Sequence, residues 1–206
     1  MAELLAIVRK EKSYDVMRSL SKAEIPYVSW TVKGRGKEGG LRYKGVIREK
    51  VLMPFLPKRA FLVFPEEEQV EEAVNLIVES AHTGAYGDGK VFLINQEEES
   101  VMKLVKAVIR PEKVYEVIKA LEKDGFRAMT MWDVVGRGKE GGIMVGDTPY
   151  DELAKTLVMV AVEDKDTDKV IESITKAAHT GAYGDGKVFA CNLSKVWTIR
   201  TKVEGL

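Results

Sequence analysis

A chain of 206 residues with 45% apolar side chains has room for one large core or two small ones, and its 32 basic and 32 acidic residues cancel, so global charge points to neither nucleic acid nor a membrane surface. Cys191 is the only cysteine, which excludes an intrachain disulfide and a multi-thiolate metal site and points to a reducing compartment. Its apolar runs fall short of the ~18 residues of a membrane span, and it opens on a strand-like segment rather than a signal sequence, so a cytoplasmic protein without membrane insertion is expected.

In chain order, residues 4–8 and 104–109 are short apolar runs that read as buried strands. Charged residues follow each, Arg9-Lys10-Glu11-Lys12 and Arg110-Pro111-Glu112-Lys113, and then a helical pattern. Val114, Val117, Ile118 and Leu121 fall at i, i+3, i+4 and i+7 and form one apolar stripe, ended by Gly125. The first copy is weaker, with Val16, Met17 and Leu20 inside and Pro26 beyond the end. Residues 28–32 and 129–135, rich in β-branched and aromatic side chains, are the next strands. Both run into Gly-Arg-Gly-Lys-Glu-Gly-Gly, at 34–40 and 136–142, and then into a long loop that ends on Lys58 or Lys155. Strands at 60–64 and 157–162 follow, then helices with inner faces of Val70, Val74, Ile77 and Val78, or Val170, Ile171, Ile174 and Ala178.

Next come twelve residues that occur twice without a change, 81–92 and 178–189, each a glycine-rich turn opening a fourth strand. The order β-α-β-loop-β-α-β, twice over, predicts an α+β protein of two ferredoxin-like (βαββαβ) sandwiches in tandem, each an antiparallel sheet with helices on one face. Only the second copy continues into a fifth strand, at 196–201, so the first lacks its last strand. The boundary is placed at Glu97-Glu98-Glu99-Ser100, giving domains 1–99 and 101–206.

Residues 84–90 have the glycine and lysine spacing of a P-loop but not its chemistry. Val91 follows the lysine, so the hydroxyl that ligates magnesium is missing, and the turn leaves a helix and enters a strand, the reverse of a P-loop. Glycines still let a backbone approach an anion, and Lys90 and Lys187 would add charge. The alternative is a tight turn with its lysine in solvent. Gly34-Arg35-Gly36-Lys37 and Gly136-Arg137-Gly138-Lys139 form a second candidate anion site; if the two glycine turns meet, they bracket a polyphosphate. Asp88 and Asp185 suit fixing the turn better than acting as bases. His82 and His179 suit helix C-termini, and Trp30, Trp132 and Trp197 suit a core or subunit interface.

Three motifs in order, twice, resemble the PII signal-transduction proteins: the turn at 83–92 and its second copy, the Gly-Arg-Gly-Lys-Glu-Gly-Gly loop stem, and Leu56-Pro57-Lys58 at the loop's close. The resemblance covers nearly the whole chain as two PII-type domains, with T-loops at about 37–58 and 139–155. It implies a trimer that binds ATP or ADP between subunits, and 2-oxoglutarate through magnesium and the T-loop stem. The implied nucleotide contacts are Gly34, Gly36, Lys37, Gly87, Asp88, Gly89 and Lys90 in the first copy. In the second they are Gly136, Gly138, Lys139, Gly184, Asp185, Gly186, Lys187 and Arg200. Lys58 and Lys155 match the effector-pairing lysine.

Glu38 and Glu140 stand where the family has a magnesium-ligating glutamine. A carboxylate can take that role, but it adds negative charge beside a dianionic effector. A C-terminal arginine pair is represented by Thr198 and Arg200 alone; the first copy has neither, which predicts the weaker site there. Neither loop has tyrosine at the family's modification position.

The stem wording and unmodified loops resemble the nitrogenase-associated PII pair of methanogens and anaerobic bacteria, as a fusion of the two partners. Residues 33–59 carry nine Lys/Arg against two Glu, whereas 137–155 carry three against four acidic residues. Arg42, Tyr43, Arg48 and Phe55 in the first loop and Tyr150 in the second are the expected partner contacts. The implied function is a nucleotide-sensing regulator of nitrogenase or another nitrogen-metabolism protein. Alternatives are a regulator of an ammonium transporter and, less favoured, an enzyme on this fold, since no nucleophile–base pair is visible. Nucleic acid is not expected, because no basic patch extends beyond the first loop. A homo-oligomer is expected, three chains supplying six domains for two trimeric rings.

Overall fold

The strands that read as continuous apolar runs are buried on both faces, and that double burial organises the molecule. The computed structural model describes residues 2–36, 41–44, 50–94, 101–136, 143–145, 148–150 and 153–206. The first half contains β1 (Glu3–Arg9), α1 (Ser13–Lys22), β2 (Tyr27–Arg35), β3 (Leu41–Lys44), β4 (Lys50–Met53), β5 (Leu56–Val63), α2 (Val70–Ala81) and β6 (Gly89–Ile94). The second contains β7 (Met102–Ile109), α3 (Val114–Lys123), β8 (Met129–Gly136), β9 (Ile143–Val145), β10 (Thr148–Tyr150), β11 (Leu153–Glu163), α4 (Thr167–Ala178), β12 (Gly186–Thr198) and β13 (Val203–Glu204).

Each half forms a four-stranded antiparallel sheet, ordered β6-β1-β5-β2 in domain 1 and β12-β7-β11-β8 in domain 2. Along β1, Leu4, Ala6 and Val8 face α1 and α2, while Leu5 and Ile7 face the other way. In β11, Val158, Val160 and Val162 face α3 and α4, and Met159 faces away. The two outward faces meet in a third core containing Leu5, Ile7, Val32, Ala60, Phe92, Leu104, Met159, Leu193 and Val196. Alternation along a strand would normally leave one face wet; here both cores claim it. Trp30 and Trp132 pack in this shared core, ring centroids 5.8 Å apart and tilted at 57°.

Two contacts close the sheets into a ring of eight antiparallel strands. Residues 33–35 at the end of β2 pair with 131–129 of β8. The second half of β12, residues 193–198, pairs with β6, after its first half has paired with β7. A register shift between Leu193 and Lys195 marks where one strand passes from one sheet to the other, as a bulge permits. The fourth and fifth strands expected separately in the second copy are thus one strand of 13 residues, and its second half stands where the first copy's last strand was expected to be missing.

The chain end is built into domain 1. Ile199 is fully buried in the α1/α2 core, and Trp197 packs against it. The amide of Ile199 donates to the carbonyl of Gly89 at 3.1 Å, and Lys202 pairs with Glu79 of α2 at 2.5 Å. Arg35 secures the opposite seam. Its side chain is 3% exposed, its Nε donates to the Arg127 carbonyl at 2.9 Å, and its Nη1 bonds the Glu122 carboxylate.

Ile199→Ala should cost about 2–4 kcal/mol by leaving a cavity, read as a lower denaturation midpoint. Hydrogen exchange in that variant should quicken in β6 and α2 more than in β7 and α3.

Candidate functional site

The repeated turn is held by one carboxylate at its centre. Asp88 is fully buried and accepts from the Thr83 amide (2.8 Å), the Gly84 amide (2.9 Å), the Thr83 hydroxyl and Arg9 Nε (2.9 Å). Burial opposes the charge of that carboxyl, but the bonds from Thr83 and Arg9 outweigh it and hold its pKa below the usual carboxylate range. Arg9 also donates through Nη2 to the Tyr86 carbonyl at 2.6 Å, so it clamps the turn to the end of β1. The second copy repeats this: Asp185 accepts from Thr180, Gly181 and Arg110, and Arg110 Nη2 reaches the Tyr183 carbonyl at 2.6 Å. Asp88 and Asp185 are therefore engaged in building the turn.

Arg9 and Arg110 are site residues that the motifs did not bring out. The available signal was a basic residue directly after the first strand in both copies.

Glycine is required at the last turn position. Gly89 has φ +122°, and a Cβ there would sit 1.8 Å from the Ile7 carbonyl oxygen; at Gly186 the same atom would sit 1.9 Å from the Val108 carbonyl oxygen. The close approach follows from β6 pairing tightly with β1, and β12 with β7.

The loop-closing lysine joins the two glycine segments. Lys58 is 6% exposed, and its Nζ donates to the Gly87 carbonyl. A Cβ on Gly34 would lie 3.0 Å from the Lys58 stem, so the lysine runs between the T-loop stem and the repeated turn. In the second copy Lys155 donates to the Gly184 carbonyl and passes Gly136, where a Cβ would be 3.4 Å away. Burial pushes Lys58 down to about 8, with the neighbouring Arg9 charge adding to the shift. Lys155 is lowered too, by burial first and Arg110 second.

The remaining expected residues divide clearly. Gly34 and Gly87 meet Lys58, with Asp88 and Gly89 following in the same turn and Gly36 just beyond the end of β2, while Lys90 reaches Thr198 and Gly205 instead. Gly136, Gly184, Asp185 and Gly186 gather around Lys155, while Lys187 lies exposed near the start of β12. Arg200 was grouped with the second copy but stands at the first: its guanidinium lies 4.7 Å from the Tyr86 ring centroid. Thr198 is there too, accepting from Lys90 Nζ at 2.7 Å. The expectation of a weaker first site rested on sequence adjacency, whereas strand pairing carries both residues across to domain 1.

Phe55 packs against the domain 2 core, with the Arg35 guanidinium 5.0 Å from its ring centroid, so this ring is engaged within the chain. Arg42, Tyr43 and Tyr150 lie in the short hairpins β3–β4 and β9–β10. Lys37, Glu38, Arg48, Gly138, Lys139 and Glu140 lie outside the described residues. Among the described residues no three His, Cys, Asp or Glu converge as a metal site. What the first turn assembles is positive charge, from Arg9, Lys58, Lys90 and Arg200, beside a turn rich in backbone amides.

A family model described as "Nitrogen regulatory protein P-II" matches residues 1–101 and again 102–203, so the chain belongs to that family and carries it twice, in tandem. The fold is accordingly the ferredoxin-like α+β fold of PII proteins. Among relatives, "Nitrogen fixation nifHD region glnB-like protein 1" of Methanococcus maripaludis is 49% identical over 105 residues, 51% of this chain and all of that protein. "Nitrogen fixation nifHD2 region GlnB-like protein 1" of Methanosarcina barkeri shows the same identity and the same coverage. "Nitrogen regulatory protein P-II 2" of Methanothermobacter thermautotrophicus is 44% identical over 108 residues, covering 50% of this chain and 94% of that protein. A crystal structure of Arabidopsis thaliana PII bound to citrate is 33% identical, covers 52% of this chain and 88% of that one, and has a TM-score of 0.44. The chain is thus a nitrogen-regulatory protein of a signalling family, related to proteins of nitrogen-fixation gene regions. No helix among its described residues is long and apolar enough to cross a membrane.

Gly89→Ala should lower the melting temperature by several degrees, from a left-handed φ and a backbone clash together worth more than about 2 kcal/mol. Gly36→Ala, with open space around the new Cβ, should leave it unchanged. Lys58 sets a pH dependence. Between about 8 and its ordinary value of 10.5, the folded protein has released a proton that the unfolded chain keeps. Wild-type stability relative to Lys58→Met should therefore rise with pH across that window, with the penalty fully present below it. Thermal melts of both proteins on a pH series read the difference.

Proposed function

We propose that the chain is a nucleotide-sensing regulator that binds ATP or ADP at its glycine turns and controls a target of nitrogen metabolism, in first place nitrogenase, through its T-loops. The observation that carries this reading is the convergence at domain 1. Lys58 bridges the T-loop stem at Gly34 and the turn at Gly87, and Arg9, Lys90 and Arg200 stand around the same turn. Clustered cations and glycine amides suit a polyphosphate, and guanidinium and ammonium groups both serve as phosphate partners. Because Lys58 closes the loop and touches the turn, an anion that recruits its ammonium alters the base of the loop. The ligand shifts the loop only by its differential affinity for the two arrangements.

Magnesium would arrive with the nucleotide's phosphates, with Glu38 or Glu140 as protein carboxylates. For 2-oxoglutarate, Lys58 and Lys155 are the pairing cations, opposed by the charge of Glu38 and Glu140. The loops present different surfaces, basic at 33–59 and close to neutral at 137–155, which suits a target with acidic ground for the first. Assembly through six domains from three chains belongs to the same reading.

The relatives named for nitrogen-fixation regions favour nitrogenase over an ammonium transporter as target. Calorimetry with ATP, ADP and 2-oxoglutarate, with and without magnesium, should give nucleotide binding that weakens above pH 8 as Lys58 loses its charge. Immobilised protein should retain purified nitrogenase in a nucleotide-dependent manner. Retention of an ammonium transporter alone would move the reading to that target, and the absence of any nucleotide binding would overturn it.

A further inference from the structure

The two turns are identical in sequence but not in surroundings. Residues 81–92 and 178–189 match at every position, and the arginine, lysine and aspartate contacts within each turn are the same. The difference lies in what covers them. In domain 1, residues 193–198 form a strand along β6. Lys90 Nζ then bonds the Thr198 hydroxyl at 2.7 Å and the Gly205 carbonyl at 3.2 Å, and the His82 ring nitrogen meets the Ile199 carbonyl at 3.0 Å. Arg200 lies against Tyr86. In domain 2, the first half of β12 pairs with β7 on one edge, and no strand among the described residues lies on the other. The consequence is visible in one residue type: Phe92 is 5% exposed, and its counterpart Phe189 is 50% exposed.

The chain has two such turns and a single segment of this kind, residues 193–206. In any assembly of identical chains, whether that segment stays at home or passes to a neighbour, it completes only half of the turns. We infer that each chain contains one complete polyphosphate site, at the turn of domain 1, with Arg200 contributed by the end of domain 2. The turn of domain 2 has Arg110, Lys155 and Lys187 but, among the described residues, nothing equivalent to Arg200, and is an incomplete site. This inference rests on the nucleotide reading above and adds its stoichiometry and its location.

The chemistry supports the asymmetry. Stacking on Tyr86 holds the Arg200 guanidinium over the turn before any ligand arrives, so little side-chain freedom is lost on binding. Thr198 and the Gly205 carbonyl similarly fix the direction of the Lys90 stem. The domain 2 turn must order an exposed lysine itself and lacks one guanidinium. Loss of one charge-assisted bond weakens a site by about tenfold or more. The site that binds is also the one that joins the domains, because its last cation enters from the other half of the chain.

Titration of the full chain with ATP and with ADP, by calorimetry, should give one tight site per chain, with any second site at least about tenfold weaker. Hydrogen exchange with nucleotide bound should protect residues 82–90 and not 179–187. Peptides that extend past the repeat into Leu93 or Ala190 tell the two copies apart. Arg200→Ala should abolish the tight class and keep its melting temperature, whereas Lys202→Ala, which loses only the Glu79 ion pair, should leave binding as it was. Two equal sites per chain, protection at 179–187, or unchanged binding by a folded Arg200→Ala variant would each overturn the inference while leaving the nucleotide reading intact. No binding at either turn would overturn both.

Discussion

The structure depends on a strand that serves two sheets. A sheet edge presents unpaired amides and carbonyls and must be covered or blunted. Among the described residues domain 1 has no strand of its own beyond β6, and β12 is long enough to pair with β7 and then continue along β6. That continuation fixes how the two halves face each other, buries Phe92, and delivers Ile199, Thr198 and Arg200 to the first domain. The second seam, where β2 meets β8 and Arg35 reaches Arg127 and Glu122, completes the ring. Neither domain is therefore a separate body with its own finished sheet.

The site follows from the same closure. Each turn is built locally around one aspartate, and each is linked to its loop stem by one lysine kept away from water. Such a lysine is a poised element: burial and the Arg9 charge disfavour its ammonium, and a bound anion would favour it. The acidic residues of the turns, Asp88 and Asp185, are engaged in hydrogen bonds to backbone, threonine and arginine.

Much of this was legible in the residues. The element order emerged from apolar periodicity, and the duplication from an unchanged stretch of twelve residues. The two glycine segments were read as bracketing a polyphosphate if they met in space, and Lys58 runs between Gly34 of one and Gly87 of the other. Less legible were Arg9 and Arg35, whose partners lie 79 and 87 positions away, at Asp88 and Glu122. Phe55 read as an exposed anchor because its neighbours are basic and loop-like, yet it lies against the domain 2 core, under Arg35. The apolar runs were seen as buried, but that their second faces bury against each other could not be told from alternation alone.

By itself the sequence determined the fold of each half, the duplication, the identity of the turns and the charge difference between the loops. These are local properties, set by side-chain pattern, by where glycine alone is tolerated and by residue counts. Only the tertiary structure decided that the halves share a ring, and that Thr198 and Arg200 serve the first turn and not the second. The reason is that an antiparallel edge accepts whichever strand reaches it in register, and adjacency in the chain says nothing about which edge that is.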